Sequence, residues 1–394
     1  MTPNLALKAA ELCSSLIRIQ SYSGQEGALV RKLAAVFPAF GFDGFSVDRY
    51  GSILGRIKGR RDGPRVLFDA HVDTVPVVNQ DQWTRSPFGG EITDGKVFGR
   101  GASDMKGALS AMILGAEKFV QDTGRDFAGE IGVAGGVHEE CFEGVAAREI
   151  SRTFNPDYVV IGEASELNLK IGQRGRAEIV LETYGVPAHS ANPDKGVHAI
   201  YHMCRLIDAI QTLEIRSHPL LGQGILVVTD IQSQPYPGAS VIPHYCRVTC
   251  DRRLLMGEDP AGVMAPLNAL ITKLEGEGSG FKAAAHFAHG RERCYTGCDI
   301  EGQRFFPGWL QDSQEPFVQR LLAGLNAAGI PSQLSHYSFC TNGSHYAGER
   351  GIRTVGFGPS RESLAHTVDE YVAIEQLHQA AFGYAKIMDV LTAA

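Results

Sequence analysis

Two histidines and four acidic side chains could together run a hydrolysis in this chain. His71, Asp104, Glu140, Glu163 and His366 supply two imidazoles and three carboxylates. That set suits a pair of borderline divalent ions, with one carboxylate bridging them. Glu139 stands beside Glu140, so one glutamate can bind metal while the other accepts a proton from a water between the ions. Two ions acidify that water and polarise a carbonyl oxygen, which is what amide hydrolysis needs. In His71-Val72-Asp73 the alternate residues of an extended backbone face one side, so imidazole and carboxylate meet. A metal-bound histidine is held in this way, one ring nitrogen on the cation and the other on its orienting partner. Taken singly, His71 and Asp104 also fit a strand-end turn and a helix cap.

The elements around these residues read as alternating strands and helices. Val66–Ala70 is an apolar strand that runs into His71, and Gly99–Gly107 is a glycine-bearing turn before a helix, Gly107–Val120. Asp104 then projects from a loop at the mouth of the same sheet. Glu130–Val137 and Tyr158–Ile161 are further strands, leading into Glu139-Glu140 and Glu163. This grammar predicts an α/β fold with a mostly parallel sheet and helices on both faces. The acidic residues and His71 fall past the carboxyl ends of strands, the edge where open α/β sheets bind ligands. The chain starts with an amphipathic helix, Met1–Gln20, and another runs to Phe37, followed by a strand pair broken at Gly51.

From about Ala177 the pattern changes. Ala177–Tyr184, Gly224–Ile231 and Tyr245–Arg253 alternate as antiparallel strands, with helices expected over Pro193–Leu213 and Pro260–Leu274. This predicts a small α+β domain, residues 177–291, inserted into a first domain made of 1–176 and 292–394. The resumed domain holds a helix at Glu315–Gly329, the turn Cys340-Thr341-Asn342-Gly343, the strand Thr354–Phe357 and a final helix, Ile374–Leu391.

Length and composition bound the rest. A chain of 394 residues exceeds one comfortable core, and 44% hydrophobic with 21% charged residues is ordinary for a soluble globular protein. A net charge of -7 without basic runs argues against nucleic acid as a partner. No segment is long enough to span a membrane, and the first twenty residues lack a secretory pattern. Eight scattered cysteines read as reduced thiols of a cytoplasmic protein. Cys294 and Cys298 have the spacing of half a metal knuckle, with no second pair to complete it.

The motifs His71-x-Asp73, Gly101-Ala102-Ser103-Asp104-Met105-Lys106-Gly107, Glu139-Glu140, Gly162-Glu163, the His189 loop and His366 span the chain. In that order they resemble the M20 family of metallohydrolases, which holds desuccinylases, acetylornithine deacetylase, aminoacylases and dipeptidases. Gly172-Gln173-Arg174-Gly175-Arg176, Asp251-Arg252-Arg253 and Thr341-Asn342-Gly343 resemble its YgeY-like branch. The resemblance implies a zinc-peptidase-like sheet and an inserted lid domain that makes a homodimer. It implies two divalent ions, zinc before cobalt or manganese, held by His71 with Glu163 and by Glu140 with His366, with Asp104 bridging. Asp73 would orient His71, Glu139 would be the general base and acid, and His189 would reach a neighbouring subunit's site to stabilise the oxyanion. Arg253 would grip a substrate carboxylate, with Arg174, Asn342 and Gly343 also at the substrate.

Ser240, before Val241-Ile242-Pro243, stands where many relatives carry a substrate-holding asparagine, which sets this chain apart from the desuccinylases. Glu163 occupies the position where carbamoyl-amino-acid hydrolases have histidine. The expected function is cleavage of the amide bond of a small N-acyl amino acid. A dipeptidase or aminopeptidase is the alternative, and a metal-binding protein that has lost turnover is a remote third.

Overall fold

The computed structural model describes residues 3–278 and 280–393, which divide into two compact units. The first comprises 1–173, 291–301 and 310–394, the second 174–290 and 302–309. The second unit thus begins at Arg174 and takes back a short return segment, Gly302–Trp309, that belonged to the first domain on the sequence pattern.

The first unit is built on a mixed nine-stranded sheet. Its order is Gly44–Val47, Ile53–Lys58, Ala128–Gly136, Arg61–His71, Tyr158–Ile161, Arg353–Gly356, Leu169–Gln173 and Trp309–Leu310, with Leu334–Tyr337 also on Leu169–Gln173. The central pairings are parallel, as expected for strands joined through helices. Gly44–Val47 and Ile53–Lys58 pair antiparallel because a tight turn joins them, and Ile53–Lys58 with Ala128–Gly136 and Arg353–Gly356 with Leu169–Gln173 are antiparallel as well. Along Arg61–His71, Val66, Phe68 and Ala70 point to one face and Leu67, Asp69 and His71 to the other. Phe68 meets Tyr384 of the helix Ile374–Thr392 edge to face. Leu67 joins a cluster with Ile150 and Phe154 of the helix Ala147–Phe154, so helices cover both faces.

The helix Gly107–Thr123 packs on Ile374–Thr392. A side chain at Gly115 would place its Cβ 2.8 Å from the carbonyl oxygen of Ala381, so glycine permits that close approach. The strand register then sets the site. His71 pairs with Gly136, and Asp69 with Ile161, which leaves Glu163 level with His71 and the Glu139-Glu140 turn just above both.

The second unit is an antiparallel sheet in the order Ile225–Gln234, Tyr245–Leu254, Gly175–Tyr184, Ala283–Phe287. Strict alternation along Tyr245–Leu254 turns Cys246, Val248, Cys250 and Leu254 toward the helices Ala199–Ile210 and Pro260–Gly276. The helix expected over Pro193–Leu213 starts only at Ala199. Val186 and Val197 exchange backbone hydrogen bonds of 2.9 Å, which pulls Gly196 to His198 into an extended bridge and leaves Pro193–Lys195 as one isolated turn. Among the described residues no helix is long and apolar enough to cross a membrane.

Candidate active site

His71, at the end of the central strand, is 1% exposed. Its Nε2 lies 2.8 Å from Asp104 Oδ1 and 3.4 Å from Glu163 Oε1. His366 Nε2 lies 3.1 Å from the other oxygen of Asp104, Oδ2, and 3.0 Å from Glu140 Oε2. One carboxylate is therefore shared between two imidazoles. Ligand atoms of His71, Asp104 and Glu140 all fall within 4.8 Å of one another, as do those of His71, Glu139 and Glu163. The structure thus brings together all six residues that the sequence singled out.

Asp104 sits in a five-residue irregular turn, Ala102–Lys106, with an extended backbone (φ −127°, ψ 91°). His366 takes a left-handed backbone, φ 63°, on the loop before the last helix. Asp73 does more than orient His71. His71 Nδ1 is 2.9 Å from the backbone oxygen of Asp73 and 3.6 Å from its carboxylate, so the ring is held chiefly by the main chain. The carboxylate of Asp73 instead accepts the backbone N–H groups of Glu139 at 3.0 Å and Glu140 at 3.1 Å, and the Ser23 hydroxyl at 2.8 Å. One buried aspartate thereby fixes the paired glutamates relative to His71.

The electrostatics are those of too much negative charge in too little water. Burial drives Glu139 well above the usual carboxylate range, and the neighbouring acids Glu163, Glu140 and Glu143 add to it. Burial and then Asp104 push Glu140 up to about 7 and raise Glu163 as well. Burial works to neutralise His71, but its bonds to Asp104, Asp73 and Glu163 keep its pKa well above normal. Asp104 and Glu140 lift His366 to about 10. Two carboxylates about 4 Å apart repel by roughly 4 kcal/mol at an effective dielectric near 20, so a cluster of this kind calls for added positive charge. Mixed imidazole and carboxylate donors around a shared aspartate fit a pair of divalent ions. Glu139 Oε1 is buried without a hydrogen-bond partner among the described residues.

The residues expected at the substrate are otherwise engaged. Asn342, 4% exposed, donates to Asp69 Oδ2 at 2.9 Å and accepts from the Gly144 N–H at 2.8 Å. Both ends of its amide tie the Glu139–Gly144 loop to the central strand. Gly343 has φ −57°, a conformation open to any residue, and its N–H donates to Thr341 Oγ1. In the second unit Arg253 pairs with Asp251 at 2.8 Å, whose other oxygen takes Arg176 at 2.9 Å, and Arg174 donates to the Gln223 carbonyl. His189 is exposed, and its Nδ1 accepts the Ala191 N–H at 3.0 Å, which leaves Nε2 as the protonated donor of the neutral ring. The Cys294–Cys298 segment is a turn closed by the Cys294 N–H on the Cys298 carbonyl, with Cys294 buried and Cys298 exposed. Supporting residues that no motif marked include Glu26, Asp69, Arg100 and Glu370. In sequence they look like solvated charges or helix starts, and only the folded contacts give them away.

A shared carboxylate between imidazoles, a spare buried glutamate and a sheet edge define a metal-dependent hydrolase acting on amide or peptide bonds. The description of peptidase family M20/M25/M40 matches residues 67–389, and the chain belongs to that family. It is 31% identical over 378 residues to the uncharacterized protein YgeY of Escherichia coli K12, covering 94% of this chain and 91% of that one. It is 32% identical over 261 residues to a succinyl-diaminopimelate desuccinylase of Cereibacter sphaeroides, covering 63% and 68%. Its fold matches that of YXEP from Bacillus subtilis, described as a dinuclear metal-binding peptidase, with TM-score 0.72, 15% identity and coverage of 99% of each chain.

Glu26 supplies a test of the supporting shell. It is fully buried, its Oε1 accepts the N–H groups of Gly24 and His138, and Oε2 has no partner. Burial and then Asp73 raise its pKa to about 7. An acid with a raised folded pKa favours its protonated form in the native state. Stability is therefore lost as pH rises from about 4.5 to about 7 and is level above that. We expect Glu26→Gln to remove a loss of about 1–3 kcal/mol between pH 5 and 7.5, read by urea unfolding of metal-free protein. Parallel pH profiles for variant and wild type would contradict the assignment.

Proposed function

We propose that the chain hydrolyses the amide bond of a small N-acyl amino acid. The observation that carries this is the Asp104 carboxylate, 2.8 Å from His71 and 3.1 Å from His366, beside the unpartnered Oε1 of Glu139. His71 and Glu163 would hold one divalent ion and Glu140 and His366 the other, with Asp104 between them. Zinc suits these donors best, and cobalt or manganese would also be accepted. When bound, such ions acidify water and polarise a carbonyl oxygen. Glu139 Oε1 takes the proton of the attacking water and returns it to the leaving nitrogen, and its raised pKa suits a group that must hold that proton between the two steps. Asp73, gripping the backbone of Glu139 and Glu140, keeps base and ligand in register.

The desuccinylase relative, matched at 32% identity, supports an acyl rather than a peptidyl substrate. Release of amine from N-acyl amino acids and from dipeptides, with zinc and after chelation, tests the reading. We expect chelator-sensitive release from the acyl panel. Glu139→Gln should lower kcat by at least about 10³-fold with metal content retained, and Glu140→Ala should lose metal. Release confined to dipeptides would move the chain to the peptidases, and a fully active Glu139→Gln would remove the base.

We further infer a homodimer in a reducing compartment such as the cytoplasm. The described residues form no disulfide among the eight cysteines, which supports the compartment. The strand Ile225–Gln234 lies at an edge of its sheet, with Ile225, Val227 and Ile231 exposed, beside a cavity of about 740 Å³ lined by Ile231, Gln234, Tyr236 and Arg247. An apolar open edge of this kind pairs with a second copy, and His189 Nε2 of that copy would donate to the oxyanion. Sedimentation should show a dimer that Val227→Lys weakens, and His189→Ala should lower kcat by about 10²-fold or more. A monomeric wild type, or a fully active His189→Ala, would end this reading.

A further inference from the structure

Asp104 presents one oxygen to each histidine, so a small rotation of its side chain would open both distances at once. The turn that carries it is irregular and would not by itself hold that orientation. Beneath it lies a buried ion pair. Arg100 and Glu370 are 2% and 0% exposed and meet at 2.6 Å. The second carboxylate oxygen of Glu370, Oε1, accepts the N–H of Ser103 at 2.8 Å and of Asp104 at 3.1 Å. The other arm of the guanidinium, Nη2, lies 3.4 Å from the carbonyl oxygen of His366. The pair is itself fixed: the Gly99 N–H donates to the Glu370 carbonyl and the Arg100 N–H to that of Pro87, both at 2.8 Å. The guanidinium also lies 5.3 Å from the ring centroid of Trp83.

We propose that Arg100 and Glu370 are a positioning pair that ties Asp104 to His366 and so sets the affinity of the site for its two ions. The inference rests on the ligand set proposed above. Glu370 grips the backbone of the shared carboxylate, and Arg100 spans from Glu370 to the backbone of the histidine across from it. A planar guanidinium with donors on two arms can make that link, whereas an ammonium is a single point. Neither side chain touches the reacting atoms. A buried pair serving the fold alone could be exchanged for apolar residues with little change elsewhere. A pair that orients ligands cannot, since outer partners of this kind alter metal affinity by about 10–100-fold.

The test titrates zinc chloride calorimetrically into metal-free wild type and three variants, with thermal unfolding of each metal-free protein. Arg100→Met/Glu370→Met removes both charges and the acceptor, and Arg100→Met/Glu370→Gln restores only the acceptor beneath Ser103 and Asp104. Arg100→Lys keeps a cation beside Glu370 but loses the reach to His366. We expect two ions in wild type and at least about tenfold weaker binding in Met/Met. Met/Gln should recover much of that loss, and Arg100→Lys should weaken one ion more than the other at unchanged melting temperature. If Met/Met does not fold, Arg100→Lys decides. Two ions bound as in wild type by every folded variant would overturn the pair's role. A wild type that binds no zinc would instead overturn the ligand set on which it rests.

Discussion

Much of the first unit depends on one arrangement, a single aspartate carboxylate held between two imidazoles among three further glutamates, two of them buried. Such a group of acids is unstable by itself. Each carboxylate gives up hydration on burial and repels its neighbours, and the raised pKa values of Glu139, Glu140 and Glu163 record that cost. The fold counters it in two ways. It interleaves histidines that take up positive charge, and it spends backbone N–H groups and buried partners on holding the carboxylates still. Asp73 beneath Glu139 and Glu140, and Glu370 beneath Ser103 and Asp104, are two instances of one device. In each, an aspartate or glutamate outside the donor set grips the main chain of one residue inside it and of that residue's chain neighbour.

The parallel centre of the sheet is what makes the device possible. Adjacent parallel strands end at one edge, and the pairing of His71 with Gly136 and of Asp69 with Ile161 delivers donors from three strands to one level. His366 and Asp104 come from loops, His366 with a left-handed backbone and Asp104 in an irregular turn. They need the extra ties to Glu370, Arg100 and Ser360 that strand-end residues obtain from the sheet itself. Ser103 and Ser360, bonded at 2.8 Å through their hydroxyls, join those two loops again.

The clustered residues other than His366 were legible in the sequence because each follows an apolar run or sits in a glycine-marked turn, patterns that survive without tertiary information. The strands Tyr158–Ile161 and Tyr245–Leu254 read well for the same reason, one by unbroken hydrophobicity and the other by alternation. The helix over Pro193–Leu213 did not, since its first turn has helical residues but Val197 finds a better partner in Val186. Asn342 entered only with the Thr341-Asn342-Gly343 motif, and it takes Asp69, buried inside a strand, to show where its amide goes. Glu370, four residues after His366, looks like the solvated start of the last helix. Its distinction is a buried arginine 270 residues away in the chain, a pairing that no local pattern encodes.

Anomalous diffraction at the zinc absorption edge, on crystals equilibrated with zinc, addresses the shared carboxylate most directly. Two peaks about 3.5–4 Å apart on either side of Asp104 are expected, one against His71 and Glu163 and the other against Glu140 and His366. A single peak, or a pair that Asp104 does not separate, would contradict the two-ion site.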